Sequence, residues 1–135
     1  MGTIFQVAEL YNRLSLRSIA EEVVKENEQS ILDKNRIQLT YGFNSDGDYL
    51  NPPYTIRYAA KKRGKAPYGV PDLFNTGAFY SSLLFGDKFR IESNIHYAKH
   101  LVKRYGDNIF GISENNIDPY REKFRQKLIN ILKNV

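Results

Sequence analysis

The chain has 135 residues, with 20 Lys+Arg against 15 Asp+Glu, ten tyrosines, eight phenylalanines, and neither cysteine nor tryptophan. With 41% hydrophobic and 26% charged residues, this length suits one globular domain with a single modest core, not a disordered or fibrous chain. The absence of cysteine excludes a disulfide framework, an Fe–S cluster, a thiolate zinc site and a cysteine nucleophile, and no run approaches the roughly 18 apolar residues of a membrane span.

The start, Met1-Gly2-Thr3-Ile4-Phe5-Gln6, has no basic region ahead of an apolar stretch, so no signal peptide is expected. Gln6 stands where a myristoylation site would carry Ser or Thr. The net charge of +5 favours an acidic partner, either nucleic acid or an acidic protein face.

Val7, Leu10, Tyr11 and Leu14 have the spacing of one helical face. A second stripe, Leu16, Ile19, Ala20, Val23, Val24 and Ile31, does not continue the first in phase. This predicts a short helix over residues 4–14, a kink near Leu14–Ser18, and a longer helix running to about Leu39. Ser15 or Ser18 can cap the longer helix, and Gly42 is its stop signal.

From Tyr41 to Asp72 the texture changes. Four of the five prolines lie here (Pro52, Pro53, Pro67, Pro71), together with the cations Arg57, Lys61, Lys62, Arg63 and Lys65. A connection of this length points to a functional segment or to one ordered by a partner. Asn44-Ser45-Asp46-Gly47-Asp48 reads as a turn, and Thr55–Lys61 as a turn or two of helix ended by Gly64.

Leu73–Phe85 and Lys88–Ser93, joined by Gly86-Asp87, predict an antiparallel hairpin, with Phe89 and Ile91 on one face. The first arm alternates poorly around Ala78–Leu84 and could begin helically. Residues 95–105 read as a helix ended by Gly106. Ser113 caps a last helix that has Pro119 in its first turns and an apolar stripe of Tyr120, Phe124, Leu128, Ile129 and Leu132. The expected fold is a single α+β domain over residues 1–135. A small antiparallel hairpin packs with a kinked N-terminal helical region (1–40) and a C-terminal helix, across a long Pro/Gly-rich basic loop (41–72).

No residue pattern nominates an enzyme. His96 and His100, four apart on the predicted helix, could share a face, but the metalloprotease glutamate is replaced by Tyr97, and Lys99, Lys103 and Arg104 oppose a cation. The Asn44–Asp48 turn misplaces its glycine for a calcium loop, and Thr55 occupies the place of the closing glutamate. Neither a Gly-x-Ser-x-Gly elbow nor a phosphate-cradling glycine loop occurs. A hydrolase using His96 or His100 is the weakest reading because no partner constellation exists. No metal and no cofactor are expected. The basic residues Arg57, Lys61, Lys62, Arg63 and Lys65, interleaved with Tyr54, Tyr58 and Tyr68, suit phosphate contact and base stacking, or an acidic protein neighbour.

Leu39-Thr40-Tyr41-Gly42-Phe43, Asp46-Gly47-Asp48-Tyr49-Leu50 and Tyr58-Ala59-Ala60-Lys61-Lys62 lead to Leu73-Phe74-Asn75-Thr76-Gly77-Ala78-Phe79-Tyr80-Ser81-Ser82-Leu83. Then come Phe89-Arg90-Ile91-Glu92-Ser93, His96-Tyr97-Ala98-Lys99, Tyr105-Gly106 and Phe110-Gly111-Ile112-Ser113-Glu114-Asn115. In this order the pieces resemble the small virion-morphogenesis and tail-completion (neck, head–tail connector) proteins of tailed bacteriophages. Tyr49 stands where that family often has Trp, and Asn108-Ile109-Phe110 replaces its Arg-Pro-Phe. The resemblance implies a non-catalytic virion protein, assembled in the host cytoplasm. It would form a homo-oligomeric ring against other connector or tail proteins and near packaged DNA, with no membrane. Self-contact would then involve Tyr54, Tyr58, Thr76, Gly77, Phe79 and Tyr80, while Arg57, Lys61, Lys62, Arg63 and Lys65 would face DNA or an acidic neighbour. The alternative is a small basic nucleic-acid-binding module.

Overall fold

A computed structural model describes residues 6–7 and 15–134. The expected first helix, apart from Gln6 and Val7, falls outside the described residues. The fold is a small α+β one, with six helices and a two-stranded antiparallel sheet among the described residues. The chain divides into two compact units, one formed by the segments up to Asn27 and from Ile117 onward, the other by Glu28–Asn116. No helix among the described residues is long and apolar enough to cross a membrane.

In the first unit, helix α1 spans Leu16–Glu26 and buries Ile19 and Val23. Ser15 is its cap, the hydroxyl accepting from the Ser18 N–H at 3.4 Å, and Arg17 pairs with Glu21 one turn on. The expected single long helix is in fact two. Asn27 ends α1 by turning its own N–H onto the Val24 carbonyl and its side-chain amide onto the Val23 carbonyl at 2.7 Å. An asparagine that bonds back to the preceding turn competes with continued helix, and hydrophobic periodicity does not register that. Helix α6, Glu114–Lys133, carries Pro119 inside and buries Tyr120. Its Lys127 reaches Glu26 at 3.0 Å and Glu22 at 3.4 Å on α1. Those bonds, Glu26 first, raise the ammonium pKa.

The second unit is organised on helix α2, Glu28–Thr40. Leu32, Asn35 and Leu39 lie on its buried face, so the inward stripe is part polar. The two apolar members join Leu50, Phe79, Leu83, Ala98 and Ile109 in one core. Asn35 and Gln38 hold the extended segment after Ile109. Asn35 donates to the Ile109 carbonyl at 3.0 Å and accepts from Gly111 N–H at 2.9 Å. Gln38 donates to the Gly111 carbonyl at 3.0 Å and accepts from Ser113 N–H at 2.8 Å. Two amides three positions apart thus serve four backbone groups that have no strand neighbour.

Helix α2 closes as expected at Gly42, which adopts φ +87°. The Gly42 N–H bonds the Leu39 carbonyl at 2.9 Å and the Phe43 N–H bonds the Gln38 carbonyl at 3.0 Å, a paired helix-end closure. The Asn44–Asp48 turn forms, its Asn44 side-chain oxygen accepting from the N–H groups of Asp46 and Asp48, and it brings Phe43 opposite Tyr49 with stacked rings. Helix α3, Ile56–Lys61, is capped by Thr55 and ends at Lys62 instead of Gly64: the Lys62 N–H makes the last helical bond, to the Tyr58 carbonyl, and its own backbone is already extended at ψ 135°, with its side chain paired to Asp72.

The hairpin is shorter than its expected arms. The first arm does begin helically, as α4, Ala78–Ser81, before strand β1, Leu83–Phe85. Strand β2, Ile91–Ser93, pairs with β1 in the register Leu83↔Ser93, Leu84↔Glu92 and Phe85↔Ile91. Phe89 is not a strand residue: it sits in the connecting turn at φ +57°, exposed. Helix α5, Ala98–Tyr105, ends at Gly106 as expected. His96 precedes α5, so it does not share a helical face with His100, and no group of metal-ligating side chains occurs among the described residues.

Gly42 carries a double constraint, since a Cβ there would lie 2.5 Å from Val70 Cγ1 as well as in left-handed backbone. Gly42→Ala is expected to destabilise the fold by about 2 kcal/mol, combining the left-handed penalty with overpacking. Urea denaturation of the two proteins measures this directly.

Candidate interaction surface

The segment from Tyr54 to Tyr80 is held by one carboxylate. Asp72 is only 4% exposed. Lys62 Nζ sits 3.0 Å from its Oδ1 and 3.1 Å from its Oδ2. The Phe74 N–H bonds Oδ1 at 3.0 Å, and the Tyr54 hydroxyl lies 3.3 Å from both Oδ1 and the Asp72 N–H. Tyr80 donates its hydroxyl to the Asp72 backbone carbonyl at 2.5 Å. Gly64 lets the chain pass close by, because a Cβ there would stand 2.8 Å from Asp72 Oδ2. A buried charge is tolerable only with a counter-charge and satisfied lone pairs, and Asp72 has both.

Around this hub the rings interlock. Tyr58 meets Tyr54 edge-on at 4.7 Å, Phe74 meets Tyr80 edge-on at 5.3 Å, and Lys62 lies 5.7 Å from the Phe74 ring centre. Burial, partly opposed by a hydrogen bond from Thr40 and reinforced by the Asp72 charge, pushes the Tyr80 hydroxyl up to about 12. Burial also raises that of Tyr54. Arg36 Nε donates to the Tyr80 carbonyl at 2.7 Å and so ties this segment to α2.

The expected contact residues therefore separate. Phe79, 2% exposed, belongs to the core and presents no contact surface. Tyr54 and Tyr80 are half-buried members of the Asp72 network. Thr76 is exposed and bonds the Ala78 N–H at 3.3 Å, while Gly77 adopts φ +86° ahead of α4. Only Tyr58 of the expected aromatic contacts stands outward. Among the cations, Lys62 is 16% exposed and engaged internally. Arg57, Lys61, Arg63 and Lys65 are exposed and, among the described residues, none pairs with a carboxylate. Lys65 lies 5.7 Å from the centre of the Tyr41 ring.

Reasoning from the sequence alone passed over several residues on this surface. Ile56, the first residue of α3, is 87% exposed, whereas Tyr68, which the sequence did point to, is 76% exposed. Ile37 on the outer side of α2 and Tyr41 just past its end are exposed too, and with Gln38, Phe43, Gly47 and Asn116 they line a groove of about 340 Å³. The signal for Asp72 was faint: a lone acid between Pro71 and Leu73, in a stretch otherwise dominated by cations. No protein-family model, curated protein or solved structure matches the chain.

Asp72→Ala strands Lys62 and leaves Tyr54 and the Phe74 N–H without their acceptor; a loss of about 3 kcal/mol is expected in denaturant unfolding. Lys62→Met should cost more alone than when combined with Asp72→Asn, which removes the orphaned charge. The tyrosines predict an alkaline limit. The folded state holds the Tyr80 proton more tightly than the unfolded chain does, so that contribution is complete below pH 10 and is lost as pH rises toward about 12. Thermal melts between pH 8 and 11.5 should fall above pH 10, and fall less steeply for Tyr80→Phe.

Proposed function

We propose that this chain is a structural protein of a tailed-phage virion. It forms a homo-oligomeric ring at the head–tail junction, in the neck or at tail completion, against other connector or tail proteins, and carries out no catalysis. The ordered run of sequence pieces from Leu39 to Glu114 supports the family, and one structural observation supports an assembly role. The Asp72 network spends a buried ion pair and two tyrosines on holding a basic segment rigid. Yet that segment turns Ile56, Tyr58 and Tyr68 outward instead of closing a catalytic cleft. Aromatic and apolar side chains mixed with arginine are the composition of protein interfaces.

A second reading, a nucleic-acid-binding module, is favoured by Arg57, Lys61, Arg63 and Lys65, exposed and without a carboxylate partner among the described residues, lying beside exposed tyrosines. Native mass measured across a concentration series separates the two. A ring protein gives discrete oligomers that grow with concentration, and a monomer at every concentration overturns the reading. A nucleic-acid module using all four cations should lose about two orders of magnitude in affinity between 50 and 200 mM salt. Lys61→Glu with Arg63→Glu and Lys65→Glu, which spares the structural Lys62, should abolish that binding.

A further inference from the structure

Two patches of the Glu28–Asn116 unit are complementary to each other, and each exposes apolar side chains, Ile56 and Tyr58 on one and Ile37 and Tyr41 on the other. The first is the outer side of α3. That helix buries Ala59 alone and leaves Ile56, Tyr58, Arg57 and Lys61 exposed. Six residues do not hold a helix in water unaided. The Thr55 cap and the Asp72–Lys62 bond that follows therefore keep a rigid basic-apolar knob in place.

The second patch is the groove on α2. Its apolar walls are Ile37, Tyr41 and Phe43, and it reaches Gly47 at the tip of the acidic turn. Asp46 and Asp48 flank that glycine. The turn is rigid because the Asn44 side chain bonds both of their N–H groups, and Asn108 Nδ2 bonds Asp46 Oδ2 at 3.0 Å. Both carboxylates are exposed, and neither forms an ion pair among the described residues. Lys34 also lines the groove, and Lys65 covers part of Tyr41. A basic knob entering here is therefore oriented with its cations toward Asp46 and Asp48.

We infer that the α3 knob of one subunit seats in the α2 groove of a second copy of this chain, with Ile56 and Tyr58 against Ile37, Tyr41 and Phe43, and with Arg57 and Lys61 against Asp46 and Asp48. This rests on the self-association proposed above and specifies its contact. The occupant is a second copy because the charge sign and apolar character match patch to patch. The two patches are different surfaces of one subunit, so the contact is heterologous and propagates head to tail, the arrangement that closes into rings. Burial of the exposed isoleucine and tyrosine gives the contact its hydrophobic core, and the opposed charges set its direction.

The test uses charge reversal at exposed positions; because Asp46 accepts from Asn108, the fold of each variant is checked by circular dichroism, and Asp48→Lys alone, which spares that bond, serves as the second groove variant. The groove variant is Asp46→Lys with Asp48→Lys, and the knob variant is Arg57→Glu with Lys61→Glu. By native mass spectrometry each variant alone should associate at least tenfold more weakly than the wild type. An equimolar mixture of the two, and a single chain carrying all four substitutions, should each recover the oligomers. If the wild type oligomerises and either variant does so equally well, this contact is overturned while the ring reading stands. Variants that remain monomeric when mixed overturn the pairing. A knob variant that keeps its oligomers but loses DNA binding assigns the cations to nucleic acid and overturns it as well. A wild type that is monomeric at every concentration overturns this inference and the ring reading together.

Discussion

A buried carboxylate in a chain with excess positive charge is an obligation, and most of the second unit's irregular structure follows from meeting it. A carboxylate as buried as Asp72, 4% exposed, calls for a counter-charge, and Lys62 arrives from ten residues upstream to supply one. That closure fixes the end of α3. The Tyr54 hydroxyl fixes the entry to the same segment, and Tyr80, bonded to the Asp72 carbonyl, fixes α4 beyond it. A proline-rich stretch with no strand of its own thereby acquires a single conformation. The ion pair need not add much net stability to do so, because its geometric demand excludes the alternatives.

The same economy appears across α2. The sheet has only two three-residue strands, so most extended backbone in this unit has no ladder to join. Side chains take the place of strands. Asn35 and Gln38 satisfy the segment from Ile109 to Ser113, Asn44 satisfies the acidic turn, and Arg36 satisfies Tyr80. Buried backbone groups must be paired somewhere, and a unit with so little sheet pairs them through amides. This also helps to place Ile109 in the core, since its own carbonyl and the residues that follow it are tied to α2.

For function, the consequence is a redistribution of the basic loop. Five cations in nine positions look alike in the chain, but the fold draws Lys62 inward as a structural counter-ion and leaves Arg57, Lys61, Arg63 and Lys65 at the surface. The aromatic residues divide in the same manner. Tyr54 and Tyr80 are fastened to Asp72 and Phe79 is core, whereas Tyr58 and Tyr68 remain outside with Ile56. Rigid backing behind an exposed apolar and basic face lowers the ordering cost of association, a physical reason to build such a face on a pinned loop.

Local chemistry made several elements legible from the sequence alone: the Gly42 stop, the Asn44–Asp48 turn, the Thr55 helix, the Gly106 end, and the α+β class itself. Each depends on residues within a few positions of one another, where propensity and capping decide the outcome. The break at Asn27 is as local, but it is driven by a side-chain bond that hydrophobic periodicity does not register. The amide clamp joins residues more than seventy positions apart, and Asp72 gathers partners between eight and eighteen positions away. Composition determined that the loop would be basic and aromatic. Only the tertiary structure decided which of those side chains stabilise the loop and which are left to meet a partner, because burial selects one cation for the buried acid and returns the rest to solvent.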